Sequence, residues 1–291
     1  MNARISVGFD ASASSRAAVV WAGAEAAARH ASLRIVSCYQ LPLVGDSTYA
    51  WTPTVAYEGL LESAEAGMRD VADTVRAAHP DLDIVTVPCA GPIGSVLVDE
   101  ATPDDIVVVG ASEHSRAAAV LFGNTAHYLV RHSPCPVAVV PATSLPGTPD
   151  RVVVGIDGSD DAGDALRWAG DEADRHHVGL TVVHTWEYPY RPVDPPSVQA
   201  HDLMRIDAAC VLESAVAVAR ERCGAAVSGE LVEAGAAAGL IDSVRDGDLL
   251  VLGSRGRGAV QSTVFGSTVN SVLESSSVPV VVVRPDARPV V

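Results

Sequence analysis

The chain contains two copies of one sequence pattern, and this internal repeat constrains the fold more than any other feature. The first copy begins at residue 5 with ISVGFDASASSRAAVVWAGAEAAARH, and the second begins at residue 152 with VVVGIDGSDDAGDALRWAGDEADRHH. Asp10 aligns with Asp157, and further along the copies Gly110 aligns with Gly253. We therefore expect two tandem domains that share one fold.

The joint between the copies is PATSLPGTPD, residues 141–150, and its proline, serine and threonine content is typical of a linker. A chain of 291 residues is long enough to build two hydrophobic cores of ordinary size. We place the two domains at residues 1–143 and 150–291.

Short runs of valine, isoleucine and leucine alternate in each copy with alanine-rich stretches of helical period. The apolar runs are continuous, which is typical of parallel strands covered by helices on both faces. The second copy has predicted strands near 152–156, 180–186, 226–232, 248–252 and 279–283, and predicted helices near 160–177, 198–223, 236–245 and 267–276. This alternation predicts an α/β fold, whose ligands bind beyond the carboxyl ends of the strands where the strand order reverses.

The charge of the chain excludes several classes of partner. Its formal net charge is −16, whereas nucleic acids and anionic membranes attract clustered cations. All 20 cationic residues are arginine, which excludes chemistry that needs a lysine, such as a Schiff base. No apolar run approaches the roughly 18 residues of a membrane span, and no leader precedes the first strand. We expect a cytoplasmic protein with no nucleic-acid or membrane partner.

Five cysteines are scattered along the chain without a C-x-x-C pair. An odd, dispersed set predicts buried, reduced thiols in a reducing compartment. The histidines also lack the spacing of metal ligands, so no metal site is predicted.

A glycine-rich loop follows the fourth strand of the second copy in the stretch VLGSRGRGAVQSTVFGST, residues 251–268. Gly253, Gly256 and Gly266 form a G-x2-G-x9-G pattern that ends in Ser267 and Thr268. Glycines let backbone N–H groups approach an anion closely, and the start of the following helix favours phosphate. The loop is therefore a candidate phosphate site of a nucleotide.

Asp157 ends the first strand of the same copy and should lie at the same edge of the sheet as this loop. Its carboxylate can accept a hydrogen bond from a ribose hydroxyl or help to hold Mg²⁺. Two simpler alternatives remain open: the loop is only a tight turn, and Asp157 only caps the helix that follows it.

These motifs resemble the universal stress protein family in its tandem-domain form. The resemblance rests on VGIDGS at residues 154–159, on G-x2-G-x9-G-Ser-Thr, and on the closing VPVVVV at residues 278–283, and it covers nearly the whole chain. It implies two five-stranded parallel-sheet domains of the adenine-nucleotide α hydrolase-like, Rossmann-like type, with bound ATP in many members. It also implies that the final strands of the two halves pair about a two-fold axis; association into a homodimer stays open.

The resemblance assigns roles to particular residues of the second half. Asp157 would contact the ribose, the strand end from Val183 to Thr185 would face adenine, and the glycine loop with Arg255 would surround the phosphates. The complete set of candidate ATP-binding residues in this half is Gly155, Ile156, Asp157, Val183, Thr185, Leu252, Gly253, Arg255, Gly256, Gly266, Ser267 and Thr268.

The first half keeps only part of this pattern. Its candidate residues are Asp10, Gly110, Gly123, Asn124 and Thr125, but Glu113 replaces the second glycine of the loop. A unit negative charge about 4 Å from a phosphate costs roughly 4 kcal/mol, or about three decades of affinity, unless Arg116 or a divalent cation compensates. We predict a weak, altered or empty first site and a competent second one.

Three functions are compatible with this pattern. The favoured one is a regulatory module that binds ATP, with or without Mg²⁺, and changes its contacts in a stress response. A slow Mg²⁺-dependent ATPase or phosphotransfer enzyme is the alternative, although the rim offers no base held by a partner residue. The third is a scaffold without nucleotide.

Overall fold

The computed structural model describes residues 3–39, 53–111, 124–188, 198–256 and 266–284. The chain divides into two compact units, Met1–Gly147 and Thr148–Val291. The described part of the first unit contains β1 Arg4–Gly8, α1 Ala13–Arg29, β2 Ser32–Tyr39, α2 Pro53–Ala78, β3 Ile84–Ala90, α3 Ile93–Asp99, β4 Ile106–Gly110, α4 Asn124–His132 and β5 Val137–Val140.

The second unit repeats this order of strands and helices. Its described elements are β6 Arg151–Ile156, α5 Asp160–His176, β7 Gly179–Trp186, α6 Val198–Arg222, β8 Val227–Glu233, α7 Ala236–Ser243, β9 Asp248–Gly253, α8 Ser267–Ser275 and β10 Val280–Val283. The strands and helices predicted for this half are thus confirmed, with ends that differ by two residues or fewer.

Each unit contains a parallel sheet, which confirms the predicted α/β fold. The strand order is β3-β2-β1-β4-β5 in the first unit and β10-β9-β6-β7-β8 in the second. The central strands are buried along nearly their whole length, because helices cover both faces. The order reverses between β1 and β4 and between β6 and β9, so a ligand is expected beyond the carboxyl ends of these pairs.

The first helix of each unit begins and ends with the same local devices. Ser12 caps α1 by accepting a hydrogen bond from the Ser15 N–H, and Ser159 caps α5 by accepting one from the Ala162 N–H. At the other end His30 and His177 adopt left-handed backbone conformations, with φ of 52° and 56°, which stop the helices. Because Ser12 and Ser159 cap them, helices α1 and α5 start directly beyond the carboxyl ends of β1 and β6.

An arginine–aspartate pair joins the amino ends of the two central strands in each unit. Arg151 starts β6 and Asp248 starts β9, and their side chains are 3.2 Å apart from Nε to Oδ1. The hydrogen bond to Asp248 raises the pKa of Arg151, while burial opposes the rise. Arg4 and Asp105 form the same pair in the first unit, with 3.1 Å between Nη2 and Oδ2. Both aspartates are buried, so these pairs hold the central strands in register.

The prediction of five reduced thiols is wrong. Cys38 in β2 and Cys89 in β3 are register partners on adjacent strands and form a disulfide, with Cα atoms 4.6 Å apart. They are 51 residues apart in sequence, so only the sheet brings them together. Of the other cysteines Cys135 is buried, as expected, whereas Cys210 is exposed.

None of the helices in the described parts of the chain combines the length and the apolar character that a membrane crossing requires.

Candidate functional site

A cavity of about 580 Å³ lies in the second unit at the carboxyl ends of β6 and β9. This is the place where the strand order reverses. Its walls come from the ends of these strands, the start of α5, one end of β7, and helices α7 and α8. The residues that line it are Gly155, Ile156, Asp157, Ala162, Thr185, Ala236, Leu240, Leu252, Gly253, Arg255, Gly256, Gly266, Ser267, Thr268, Val269 and Asn270.

Eleven of the twelve candidate residues of this half line that one cavity; Val183 does not. Val183 is fully buried in β7, between Gly155 of β6 and Glu230 of β8 in the register. Two residues further along the same strand, Thr185 reaches the cavity wall. The strand end therefore contributes through Thr185.

Asp157 organises the turn between β6 and α5. Its Oδ1 accepts hydrogen bonds from the Ser159 N–H at 3.0 Å and from the Ser159 hydroxyl at 2.6 Å. The residue that caps α5 is Ser159, so the alternative that Asp157 is itself the helix cap is not what the structure shows. Ser159 Oγ also lies 3.4 Å from the carbonyl oxygen of Arg255, which links this turn to the glycine loop.

The glycines of the loop allow close approach of backbone and side chains. A Cβ atom on Gly253 would lie 2.7 Å from the carbonyl carbon of Asp161, and one on Gly256 would collide with the Asp157 carboxylate. The loop therefore packs against the start of α5 and against the end of β6 only because these two residues have no side chain.

Helix α8 presents its amino-terminal turn to the cavity. Its cap residue is Gly266, which has no side chain to accept hydrogen bonds from the first-turn N–H groups. Ser267 and Thr268, the first two residues of the helix, both line the cavity. Backbone N–H groups, hydroxyls and the positive end of the helix dipole thus meet here, as an anionic ligand requires.

Two arginines, Arg255 and Arg284, and the carboxylate of Asp161 lie close together, and of these Arg255 lines the cavity. Arg255 is about half exposed, with Nε 3.7 Å from Asp161 Oδ2, which also accepts a 2.8 Å hydrogen bond from the Ser254 hydroxyl. The N–H of Ser254 donates to the carbonyl of Val283, so Arg284 follows close by. Burial lowers the pKa of Arg284, and the positive charge of Arg255 lowers it further while Asp161 opposes both.

The sequence interpretation missed three residues of this region: Asp161, Arg284 and Asn270. Asp161 stands in the first turn of a helix that begins at the rim, so its position in the sequence was a usable signal. Asn270 lines the cavity, and its Oδ1 is a buried acceptor that has no hydrogen-bond partner in the described structure. No sequence pattern marks that unsatisfied acceptor, because burial decides it.

The corresponding cavity of the first unit is smaller, about 210 Å³. Asp10, Gly110 and Thr125 line it together with Cys38. Asn124 is the first residue of α4, whereas Gly123, Glu113 and Arg116 lie outside the described residues.

Asp10 repeats the arrangement of Asp157, because its Oδ1 accepts hydrogen bonds from the backbone N–H and the hydroxyl of Ser12. Burial raises the pKa of Asp10, but the hydrogen bonds from Ser12 and Ser15 outweigh burial and lower it below its usual value of 3.8.

Fold and site together define a class: tandem α/β domains with a ligand cavity at the reversal of strand order. The sequence model of the Universal stress protein family matches residues 1–141 and 149–284. The chain therefore belongs to the universal stress protein family.

Relatives match both halves at once. A universal stress protein of Mycolicibacterium smegmatis is 30% identical over 291 residues, covering 97% of each chain. Universal stress protein Rv2005c of Mycobacterium tuberculosis is 30% identical over 298 residues, covering 96% of each. The crystal structure of a universal stress protein from Archaeoglobus fulgidus shares the fold, with a TM-score of 0.69, 19% identity, and coverage of 98% of this chain and 97% of that one.

Proposed function

We propose that the second unit binds ATP and that the protein is a regulatory module whose contacts depend on this nucleotide. The observation that carries the proposal is the cavity at the end of β6 and β9. Its volume of about 580 Å³ lies within the range of roughly 300–1,000 Å³ typical of small-molecule sites. Membership of the universal stress protein family supports a role in a stress response.

The lining supports a nucleotide because it contains polar and positively charged groups suited to phosphates and apolar residues suited to a base. Helix α8 and Arg255 supply N–H groups, hydroxyls and positive charge for the phosphates. Ala236, Leu240 and Leu252 supply an apolar wall against which a base can pack. Asn270 Oδ1 is an unsatisfied acceptor for an amino or hydroxyl group.

Asp157 would contact the ribose or share in holding the Mg²⁺ that accompanies ATP. The ion would neutralise phosphate charge, and the residues of the rim fit it because Asp157 and Asp161 are oxygen donors.

The residues of the cavity favour binding over catalysis. A general base is usually oriented by a partner residue and lies within hydrogen-bond reach of the proton that it removes. Among the described residues that line the cavity, Asp157 is the one carboxylate and there is no histidine. Asp157 Oδ1 is engaged in the turn through two hydrogen bonds from Ser159. Slow ATP hydrolysis remains the alternative activity, and release of phosphate from ATP in the presence of Mg²⁺ is the measurement that detects it.

The two units would differ in ligand binding. The first cavity, at about 210 Å³, lies below the usual range for small-molecule sites. Glu113 also aligns in sequence with Gly256 of the second unit, so a negative charge would further disfavour phosphates in the first unit. We expect about one ATP per chain, held by the second unit.

A matched pair of variants tests the proposal by isothermal titration calorimetry. Asp157→Ala and Asp10→Ala each remove a carboxylate that accepts two hydrogen bonds from the cap serine, so their effects on folding are comparable. The wild type should bind about one ATP per chain, and Asp157→Ala should weaken binding about tenfold or more. Asp10→Ala should leave the affinity unchanged.

Three results would contradict the proposal. Wild-type protein that binds no ATP, with or without Mg²⁺, would leave a scaffold. Equal losses in both variants would place the binding elsewhere. Release of phosphate from ATP that stops in Asp157→Ala but continues in Asp10→Ala would favour the enzyme.

A further inference from the structure

A pair of cysteines, one of which lines the first cavity, stands in the position where the second unit has a threonine and a valine. Cys38 is the seventh residue of β2 and lines the first cavity, as Thr185 is the seventh residue of β7 and lines the second. Cys89 is the register partner of Cys38, and Val232 is the register partner of Thr185. The first unit therefore has sulfur chemistry where the second offers a hydroxyl.

The disulfide is not needed to form this part of the fold. β7 and β8 pair in parallel over seven residues without a covalent bond, and β2 and β3 pair over the same length with the same register. The hydrogen-bonded ladder already holds the two strands side by side. The second unit therefore shows that this strand pairing forms without a disulfide.

The site accommodates the reduced state as well as the oxidised one. Cys89 Sγ lies 3.6 Å from the carbonyl oxygen of Ser37, which can accept a hydrogen bond from the thiol once the disulfide opens. Both sulfur-bearing residues are half-buried. Cys38 lines the cavity, so a small molecule that enters the cavity can reach its sulfur.

We propose that Cys38 and Cys89 form a reversible thiol–disulfide site that exchanges with low-molecular-weight disulfides through the first cavity. This inference goes beyond the proposed nucleotide function and does not depend on it. Disulfides that occur in reducing compartments are mostly transient, catalytic or redox-sensing ones, which fits a pair that the fold does not require.

The exchange balances in two steps. The Cys38 thiolate attacks one sulfur of a disulfide RSSR, forming a mixed disulfide and releasing one thiolate RS⁻, which takes up the proton that Cys38 lost. The Cys89 thiolate then attacks the Cys38 sulfur and releases the second RS⁻, which takes up the proton of Cys89. Two protein thiols are oxidised to one disulfide, and RSSR is reduced to two RSH.

The experiment is a redox titration of the full-length native protein in mixtures of reduced and oxidised glutathione. The reaction is quenched with acid, free thiols are alkylated, and intact mass spectrometry counts the labels, with peptide mapping to assign them. A Cys210→Ser background removes the exposed lone cysteine, which would otherwise form mixed disulfides. Cys135 is an internal reference, because burial raises the pKa of its thiol to about 11 despite a hydrogen bond with Ser133.

In this background, alkylation of Cys38 and of Cys89 should disappear together as the fraction of oxidised glutathione rises. Both residues should be alkylated again after return to reduced glutathione. The added variant Cys89→Ser should trap Cys38 as a mixed disulfide with glutathione, whereas Cys38→Ser should leave Cys89 much less reactive. Melting temperatures of the two redox forms should differ in the background protein, whereas Cys38→Ser should melt at one temperature at every glutathione ratio.

Three outcomes would overturn the proposal. Full alkylation of both residues at every glutathione ratio would mean that the pair does not form a disulfide. A bond that persists in reduced glutathione alone would be a permanent structural link. Glutathione attached to Cys38 with Cys89 present and still alkylated would show that the second step does not occur.

Discussion

Replacing Gly253 by alanine should remove ATP binding by displacing the loop from helix α5. The new Cβ would lie 2.7 Å from both the carbonyl carbon and the carbonyl oxygen of Asp161, and 3.0 Å from the Ala162 nitrogen. All three are backbone atoms, so no side chain can rotate away. Carbon atoms in ordinary contact lie about 3.5 Å apart, so the loop and the helix must separate by about 0.8 Å.

That displacement has two measurable consequences. Overpacking of this kind costs about 1–3 kcal/mol of folding free energy, and each kcal/mol lowers the melting temperature of a unit of this size by about 4 °C. The same shift moves Arg255 and the loop N–H groups away from the phosphates. Losing one hydrogen bond to a charged ligand weakens binding by about 10- to 100-fold.

Gly110→Ala in the first unit is the matched control. Its Cβ would meet the carbonyl carbon of Ser14 at 2.5 Å and the nitrogen of Ser15 at 2.6 Å, so the strain is at least as large as at Gly253. Thermal denaturation should show comparable destabilisation of both variants, while calorimetry should show ATP binding lost only in Gly253→Ala. Equal ATP affinity in the two variants would refute the argument that the close approach of the Gly253 loop shapes the nucleotide site.

Three further changes test the charges that the structure places. Asp248→Asn removes the anionic partner of Arg151 from a buried position, and it should lower the free energy of unfolding by about 3–5 kcal/mol in urea denaturation. A loss below about 1 kcal/mol would mean that water replaces the carboxylate. The pKa of Asp10 is lowered in the folded state, so the ionised carboxylate stabilises the fold above pH 3.8, and this stabilisation is lost as the pH falls below that value. The difference in free energy of unfolding between wild type and Asp10→Asn should therefore shrink from about pH 7 to about pH 3. A constant difference would contradict this assignment. Arg255→Gln should weaken ATP more than AMP in competition titrations, since the side chain lies at the end of the cavity where phosphates are expected, and equal losses would place it beside the sugar or base.

Much of the fold could be predicted from the sequence because local signals and burial agree. Continuous apolar runs such as VVVV at β10 are typical of strands covered on both faces, and the structure has a fully buried strand there. Helix α7 was expected to reach residue 245 but ends at Ser243, since Arg245 donates its N–H to Asp248 instead of continuing the helix. The acceptor of this hydrogen bond lies only three residues further along the chain, at the start of β9.

The site could be predicted only where strand ends determine it. Asp157 and Gly253 had to lie near each other, because both follow strands that run in parallel next to the point where the order reverses. The disulfide could not be deduced, since it depends on the register of β2 against β3 and not on the spacing of the cysteines. Cavity volume and the unsatisfied oxygen of Asn270 likewise arise only from packing.

The arginine–aspartate pairs and the ligand cavities occupy opposite ends of the same central strands. β6 has six residues and spans about 20 Å, well beyond the roughly 10 Å at which substitutions stop influencing one another. A substitution at the carboxyl rim should therefore leave the arginine–aspartate pair at the amino end undisturbed. The two units can thus have different side chains at the rim, Cys38 in one and Thr185 in the other, while both have the same pair at the amino ends of their central strands.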